Sequence, residues 1–333
     1  MRKTSRGVVT FKPFRVKHAW KLTLKNFKHS LTKVYKTIAV KTRYWRPGED
    51  YIQQITRSIR YKVEDGDIIT LSEKAISTAT GNIIDESIVR SGLTTRLIAK
   101  YWMRLVWGYI LGLLCHLKSE TVKHFRNYPA EEGAKHKQVA LQHAGFLQTL
   151  MHGSEGGIDG SNLPYSYVSL SLKNAGSVAQ KIREHIKAEL DKNVTVVIID
   201  TDKTYTFRNF HFTPRPNSIR GIQSCDGFVA YRCGRLFKLK RRATPIAVAD
   251  SNMSVEEALE IAEMANKARG FGAGRTVWDM AKAFDVSLTS VTWDMLDRVE
   301  HKPIVIVRKR RPKKASKPFT LSLIHISEPT RPY

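Results

Sequence analysis

Two short stretches carry the residues best suited to chemistry: Asp159 within GGIDGSN, and Asp200, Thr201 and Asp202 within IIDTDKTYTFRN. Carboxylate and hydroxyl oxygens suit hard cations such as Mg²⁺ or Mn²⁺, which take oxygen ligands and are often held by one or two carboxylates together with substrate phosphates. A metal and phosphate site is one expectation. The other is purely local, because Asp in a glycine-rich turn also serves to hydrogen-bond its own backbone. The residues alone leave both open.

These acids need elements to position them. VTVVIID is a run of β-branched residues ending on a carboxylate, which predicts a buried strand delivering Asp200 to a sheet edge. Before it, SVAQKIREHIKAEL places apolar residues at 178, 182, 186 and 190, the period of a helix. YSYVSLSL alternates as a half-buried strand does. Upstream, TIAVKTRYW reads as a strand, YIQQITRSIR as a helix after the PGED turn, and GDIITLSEKAISTATG as a strand running into a polar loop. Residues 86–150 form a helical block. SVEEALEIAEMANKARG opens on a capping box, Ser254 with Glu257, and stops at Gly270, so GFGAG reads as a helix cap and turn. PIVIVRK is a last strand.

Five of these segments, in order, resemble the coenzyme F-420-0:L-glutamate ligase (gamma-glutamyl ligase) family. GGIDGSN and the later VVIIDTDKTYTFRN are similar to the paired signatures N-A-G-(V/I)-D-x-S-N and (I/V)-I-x-D-T-F-G-R-P-W-R. RPGED and EDGDIITLSEKAISTATGN resemble the family's K-P-G-D-D turn and its D-G-D-V-L-V-V-A-Q-K-I-V-S-K-A-E-G-R segment, and HKPIVIVRK its terminal G-I-P-V-V-I-V-R-G strand. The helix 177–190 and the stretch before it stand where the family has L-L-P-x-D-P-D-x-S-A-x-x-I-R.

The resemblance implies an α/β (α+β) ligase-type fold with mixed sheets over residues 37–310, carrying the helical insertion 86–150 and basic terminal arms. It implies a GTP-dependent enzyme that activates a carboxylate as an acyl phosphate for attack by L-glutamate, acting on coenzyme F-420-0 or a similar anionic acceptor, as a homodimer. Mg²⁺ or Mn²⁺ would be held by Asp159 and Asp200, with Thr201 serving a second ion. Asn162, Lys74 and Arg208 would bind the nucleotide, Arg208 standing for the closing arginine of the second signature. Three departures stand out: Thr78 replaces the loop's second lysine, Glu73 replaces its glutamine, and the family's later acidic ligand has only Glu263 and Asp279 near its place.

Composition sets the wider frame. The chain has 333 residues, 42% of them hydrophobic, enough for a sizeable core, and a formal net charge of +26. Three cysteines, Cys115, Cys225 and Cys233, make no disulfide framework or CxxC zinc pair and point to a reducing cytoplasm. No acid precedes Glu49, so residues 1–36 form a basic extension, and RKRRPKK with the tail 311–320 forms another. Such arms suit nucleic acid, ribosomes or an anionic membrane surface. A non-catalytic, ligase-like protein binding through its arms is therefore the competing expectation. YWMRLVWGYILGLLCH, at 101–116, is apolar but interrupted by Arg104, a buried core helix or an interfacial one. The last thirteen residues, LSLIHISEPTRPY, resemble a translated sequencing-library adapter and are set aside.

Overall fold

The computed structural model describes residues 35–310 except Ser154 and Ser251; the basic extension up to residue 34, the tail and the adapter-like end lie outside the described residues. Among the described residues there are nine strands: β1 (Tyr35–Thr42), β2 (Ile68–Ser72), β3 (Ile83–Asp85), β4 (Tyr167–Ser169), β5 (Thr195–Phe207), β6 (Phe210–Thr213), β7 (Gln223–Ser224), β8 (Lys240–Ala249) and β9 (His301–Lys309). Seven of them form one mixed sheet in the order β1-β9-β2-β5-β6-β7, with β8 also paired to β5, while β3 and β4 form a separate ribbon. β2 and β5 run parallel, and β9 lies antiparallel to both β1 and β2. The architecture is the mixed α+β one expected.

The helices are α1 (Tyr51–Ile59), α2 (Glu73–Ala79), α3 (Leu93–Leu114), α4 (Ser119–Arg126), α5 (Ala130–His143), α6 (Phe146–Thr149), α7 (Ala175–Leu190), α8 (Gly227–Leu236), α9 (Val255–Arg269), α10 (Val277–Phe284) and α11 (Trp293–Asp297). Helix α3 has π-type winding over Ile98–Leu111. Ser254 caps α9 by accepting from the Glu257 amide, as the capping box requires.

The strand composition follows from burial on both faces. In β5, Val196 and Ile198 join a core with α1 and α7, whereas Val197 and Ile199 join a second core with α9. In β9, Ile304 and Ile306 face the first core while Val305 and Val307 face the second. With no solvent-facing side, β-branched residues replace alternation. Trimming Ile198 to Ala is a typical core deletion, costing about 2–5 kcal/mol.

Two local expectations change. TLSEKAISTATG contains no polar loop: β2 ends at Ser72 and passes directly into α2, whose Glu73, Ser77 and Thr78 are buried. Nor does β5 end on Asp200. It continues to Phe207 through an irregularity in its pairing with β8 between Asp200 and Lys203, then returns as β6. The bulge re-aims the Asp200 side chain without ending the strand.

The helical block from α3 to α6 builds its own core, with Trp107, Met103, Phe125 and Tyr128 at its centre. Trp102 and Trp107 both donate their indole N–H to the Leu150 carbonyl at 2.9 Å, so neither aromatic is buried without a partner. The three cysteines are free thiols.

Candidate active site

Parallel neighbours in a sheet present their carboxyl ends side by side, and ligands favour the crevice beyond such ends. Here Ser72 of β2 is registered against Ile199 of β5. The next residues of each strand, Lys74 in the first turn of α2 and Asp200 with Thr201 at the bulge, therefore project into one cleft. The 155–162 loop brings Asp159 and Asn162 to the same place, held by pairing of Asp159 with Ser169, the last residue of β4. The cleft has a volume of about 160 Å³, and Lys74, Asp159, Asn162, Asp200 and Thr201 all line it.

Each acid already has cationic company. Lys74 Nζ contacts Asp159 Oδ2 and donates to the Ser161 carbonyl at 2.8 Å and the Ser161 hydroxyl at 2.7 Å. Asp159 Oδ1 accepts from the Ser161 amide at 2.7 Å, so the loop bends around its own carboxylate. The local expectation and the charged cleft are thus both present in one residue.

Asp200 accepts from the Thr201 amide at 2.7 Å and pairs with Arg215. Arg215 is wholly buried, and its guanidinium also reaches the Glu73 carboxylate at 2.9 Å and Ser171 Oγ at 2.8 Å. Burial works against ionisation of Asp200, but Arg215, the Thr201 amide and Lys74 together hold it below its ordinary value. Glu73 moves the other way. Its burial, aided by the charge of Asp200, outweighs Arg215 and raises its pKa.

The glycines have a specific use. Gly157 has φ of +96°, and a Cβ there would lie 2.5 to 2.7 Å from the Arg215 guanidinium. The expected close approach of backbone to charge is real, but the charge belongs to the chain itself.

Asn162 lines the cleft with its side-chain amide engaged. Its Oδ1 accepts from the Ala273 amide at 2.7 Å and its Nδ2 donates to the Gly274 and Phe271 carbonyls at 2.9 and 3.2 Å. It thereby draws GFGAG against the cleft, so this segment caps α9 at Gly270 and also forms a cleft wall.

Arg208 is displaced from its expected position. It occupies the exposed turn between β5 and β6, near the Phe207 ring, and is not among the cleft residues. The physical reason is the hairpin: residues 202–214 leave along β5 and return along β6, bringing Arg215-Pro216 back beside Asp200-Thr201. The hairpin thus sets Arg215, and not Arg208, against Asp200.

Of the two acids near the expected third position, Glu263 pairs with Lys203 and Lys267, and Asp279 sits in the first turn of α10; neither lines the cleft. Arg269 does line it, without having been indicated by any sequence pattern. Its Nη2 donates to Thr201 Oγ1 at 2.9 Å, while its Nη1 is buried with no hydrogen-bond partner. His301, stacked on Tyr44 at 4.2 Å, is held neutral by burial, its pKa lowered to about 4.

The oxygen-only set Asp159, Asp200 and Thr201 fits a hard divalent cation. Among the described residues, no three His, Cys, Asp or Glu side chains gather as a protein-enclosed metal site. Two carboxylates leave positions for phosphate oxygens or water, as Mg²⁺ requires.

A second cavity, of about 390 Å³, shares Asp159 and Arg275 with the cleft. Its walls include Phe125, Tyr128, Tyr165 and Trp278, and much of it comes from the helical block.

The cleft beyond the carboxyl ends of β2 and β5 gathers acidic and basic side chains, and it meets the larger aromatic cavity at Asp159 and Arg275. The chain belongs to the F420-0:gamma-glutamyl ligase family, whose profile matches residues 39–267. It is 36% identical over 282 residues to the uncharacterized protein MJ1361 of Methanocaldococcus jannaschii, an alignment covering 81% of this chain and 94% of that one. It is 29% identical over 216 residues to the coenzyme F420:L-glutamate ligase of the same organism, covering 63% of this chain and 73% of the relative. Membership supports a ligase role.

Proposed function

We propose that the chain joins the amine of L-glutamate to the carboxylate of coenzyme F-420-0 or a related anionic acceptor: the γ-phosphoryl group of GTP passes to the carboxylate oxygen as GDP leaves, and the amine then attacks the acyl phosphate, losing a proton and releasing phosphate as the amide forms. The observation that carries this reading is the convergence of Lys74, Asp159, Asp200 and Thr201 on one cleft that opens beside a larger aromatic cavity.

In this reading the nucleotide phosphates occupy the cleft and the acceptor body occupies the second cavity. The acceptor carboxylate then lies at the shared wall formed by Asp159 and Arg275. Asp159 and Asp200, with Thr201 nearby, would hold Mg²⁺ or Mn²⁺, which when bound would neutralise charge on the transferring phosphoryl group. Lys74 turns from Asp159 toward phosphate oxygen. Arg269 offers its buried, unpartnered Nη1 to the same anion, replacing a missing hydrogen bond. Arg215 stays bonded to Glu73 and fixes the orientation of Asp200 as a positioning residue. Phe271 and Gly272, pinned through Asn162, limit water at the cleft mouth.

The test is glutamate-dependent release of phosphate from GTP with Mg²⁺ or Mn²⁺ and the F-420-0 acceptor. Asp159→Asn, whose pair with Lys74 is partly open to solvent, should abolish it while changing unfolding by no more than about 1 kcal/mol. Asp200→Asn should abolish it too but also cost about 3–5 kcal/mol, because it leaves the wholly buried Arg215 short of a partner, so its turnover is read on protein shown to be folded. Unchanged turnover in both variants refutes the site. Absence of turnover with any carboxylate acceptor, together with RNA retention that collapses with salt, favours the non-catalytic reading through the basic arms.

A further inference from the structure

The outer face of α3 has no partner among the described residues. Leu93, Leu97, Tyr101, Leu105, Tyr109 and Leu113 recur at every fourth position, joined by Ile110 and Leu114, and these eight side chains are each between 47% and 75% exposed. The opposite face, with Ile98, Met103, Trp107 and Leu111, is packed into the core of the helical block. A winding of more than 3.6 residues per turn over Ile98–Leu111 keeps residues four apart closer to one line than an α-helix does. The result is a continuous apolar stripe. Monomeric surfaces rarely leave such a patch bare without a use.

The charge around the stripe selects the occupant. No acid occurs between Glu86 and Glu120, whereas Arg90, Arg96, Lys100, Arg104 and Lys118 do. Lys100 lies over the Tyr101 ring at 5.3 Å and Arg126 over the Tyr109 ring at 4.5 Å. At the helix end, Arg235 donates to the Cys115 and His116 carbonyls at 2.9 and 3.0 Å, bringing the exposed Leu236 and Phe237 of the neighbouring element into the vicinity.

A second copy of the chain would bring like charge against like, on molecules of net charge +26. Nucleic acid would satisfy the basic rim and leave the leucines wet. An anionic lipid surface satisfies both, with apolar side chains at the acyl boundary, tyrosines at headgroup depth and basic residues on the phosphates. We infer that α3 lies in the plane of an anionic membrane and holds the protein on it peripherally. At 22 residues the helix has the length and composition to cross a bilayer, but its packed inner face excludes being surrounded by lipid. The same helix contributes Met103 to the wall of the aromatic cavity, so the membrane-facing element is also a cavity element.

Co-sedimentation of the full chain with vesicles of phosphatidylcholine alone, and of phosphatidylcholine with 30% phosphatidylglycerol, tests this directly. The expected result is binding to the anionic vesicles only, reduced at least tenfold in the triple variant Leu97→Glu, Leu105→Glu, Ile110→Glu. Raising salt should weaken wild-type binding without abolishing it, because the stripe contributes an unscreened apolar component. Equal binding by the triple variant would assign any vesicle affinity to the basic arms and overturn the proposal. So would absence of binding to either vesicle, or a shift from dimer to monomer caused by the substitutions, which would make the stripe an interface between copies. All three positions are exposed, and circular dichroism and GTP turnover report whether the variant is folded; the single Leu105→Glu change serves if it is not. Loss of vesicle binding with turnover retained keeps this inference separate from the ligase reading.

Discussion

Two charge clusters occupy the interior on either side of Asp159, and they are built differently. In the helical block, Lys137 is wholly buried and bonded to Glu155 and the Met151 carbonyl, Glu155 is shared with His136 at 3.0 Å, and His136 reaches Glu86 at 2.6 Å through its other nitrogen. None of these side-chain atoms is among the buried polar atoms without a partner. The cleft cluster, Lys74–Asp159 and Glu73–Arg215–Asp200, adjoins Arg269, which lines the cleft and whose Nη1 is buried with no partner. Complete satisfaction marks a structural network. Incomplete satisfaction beside a cleft marks the place where a ligand is expected to complete it.

That contrast breaks first at Lys137. Lys137→Met leaves Glu155 short of a buried partner and should cost about 3–5 kcal/mol in urea denaturation; a loss below about 1 kcal/mol would mean that the network contributes little. Lys74→Met is the counterpart. Its pair is partly open to solvent, so stability should change by no more than about 1 kcal/mol, while kcat/KM should fall about 10²–10³-fold as one phosphate donor is removed. If the two lysines exchange these phenotypes, the distinction between the clusters is lost.

A smaller effect is expected from Gly157→Ala. The positive φ and the displaced Arg215 should together cost about 1–3 kcal/mol, with turnover reduced because Asp200 loses its alignment. Thermal unfolding and steady-state kinetics on the same preparation check both.

The smallest effect lies in pH. Glu86 and Glu155 overcome the burial of His136 and raise its pKa well above the ordinary value; Lys137 and His136 overcome the burial of Glu155 and lower its own. The His136 contribution is complete below about pH 6.5, its unfolded value, and is lost as pH rises through the raised folded value. The Glu155 contribution is complete above about pH 4.5 and is lost as pH falls toward its lowered folded value. Melting temperature should therefore hold a plateau between these limits and decline on both sides. His136→Gln should remove its share of the alkaline decline.

β5 and β9 were legible because both their faces are buried, which leaves an unmistakable β-branched run, whereas β6, β7 and β8 of the same sheet were not read. Asp159 was legible from its glycine-rich loop and Asp200 from the β-branched run before it, although β5 runs on past it; Lys74 stood out only through the family resemblance. Arg269 was not: it ends an ordinary amphipathic helix, and its contact with Thr201 depends on the docking of α9 against the sheet. Helix α2 was hidden because its polar residues are buried by local hydrogen bonds, such as Thr78 Oγ1 to the Lys74 carbonyl at 2.9 Å. Arg208 was misplaced because linear alignment cannot register a strand that doubles back.

The β5–β6 hairpin makes the last point general. A chain that leaves along one strand and returns along its neighbour comes home with almost no net displacement, whatever the length of the excursion. The distance from Asp200 to Arg215 is thus decoupled from the number of residues between them. Adding a matched pair of residues to each arm would lengthen the text of the signature and leave its meaning unaltered.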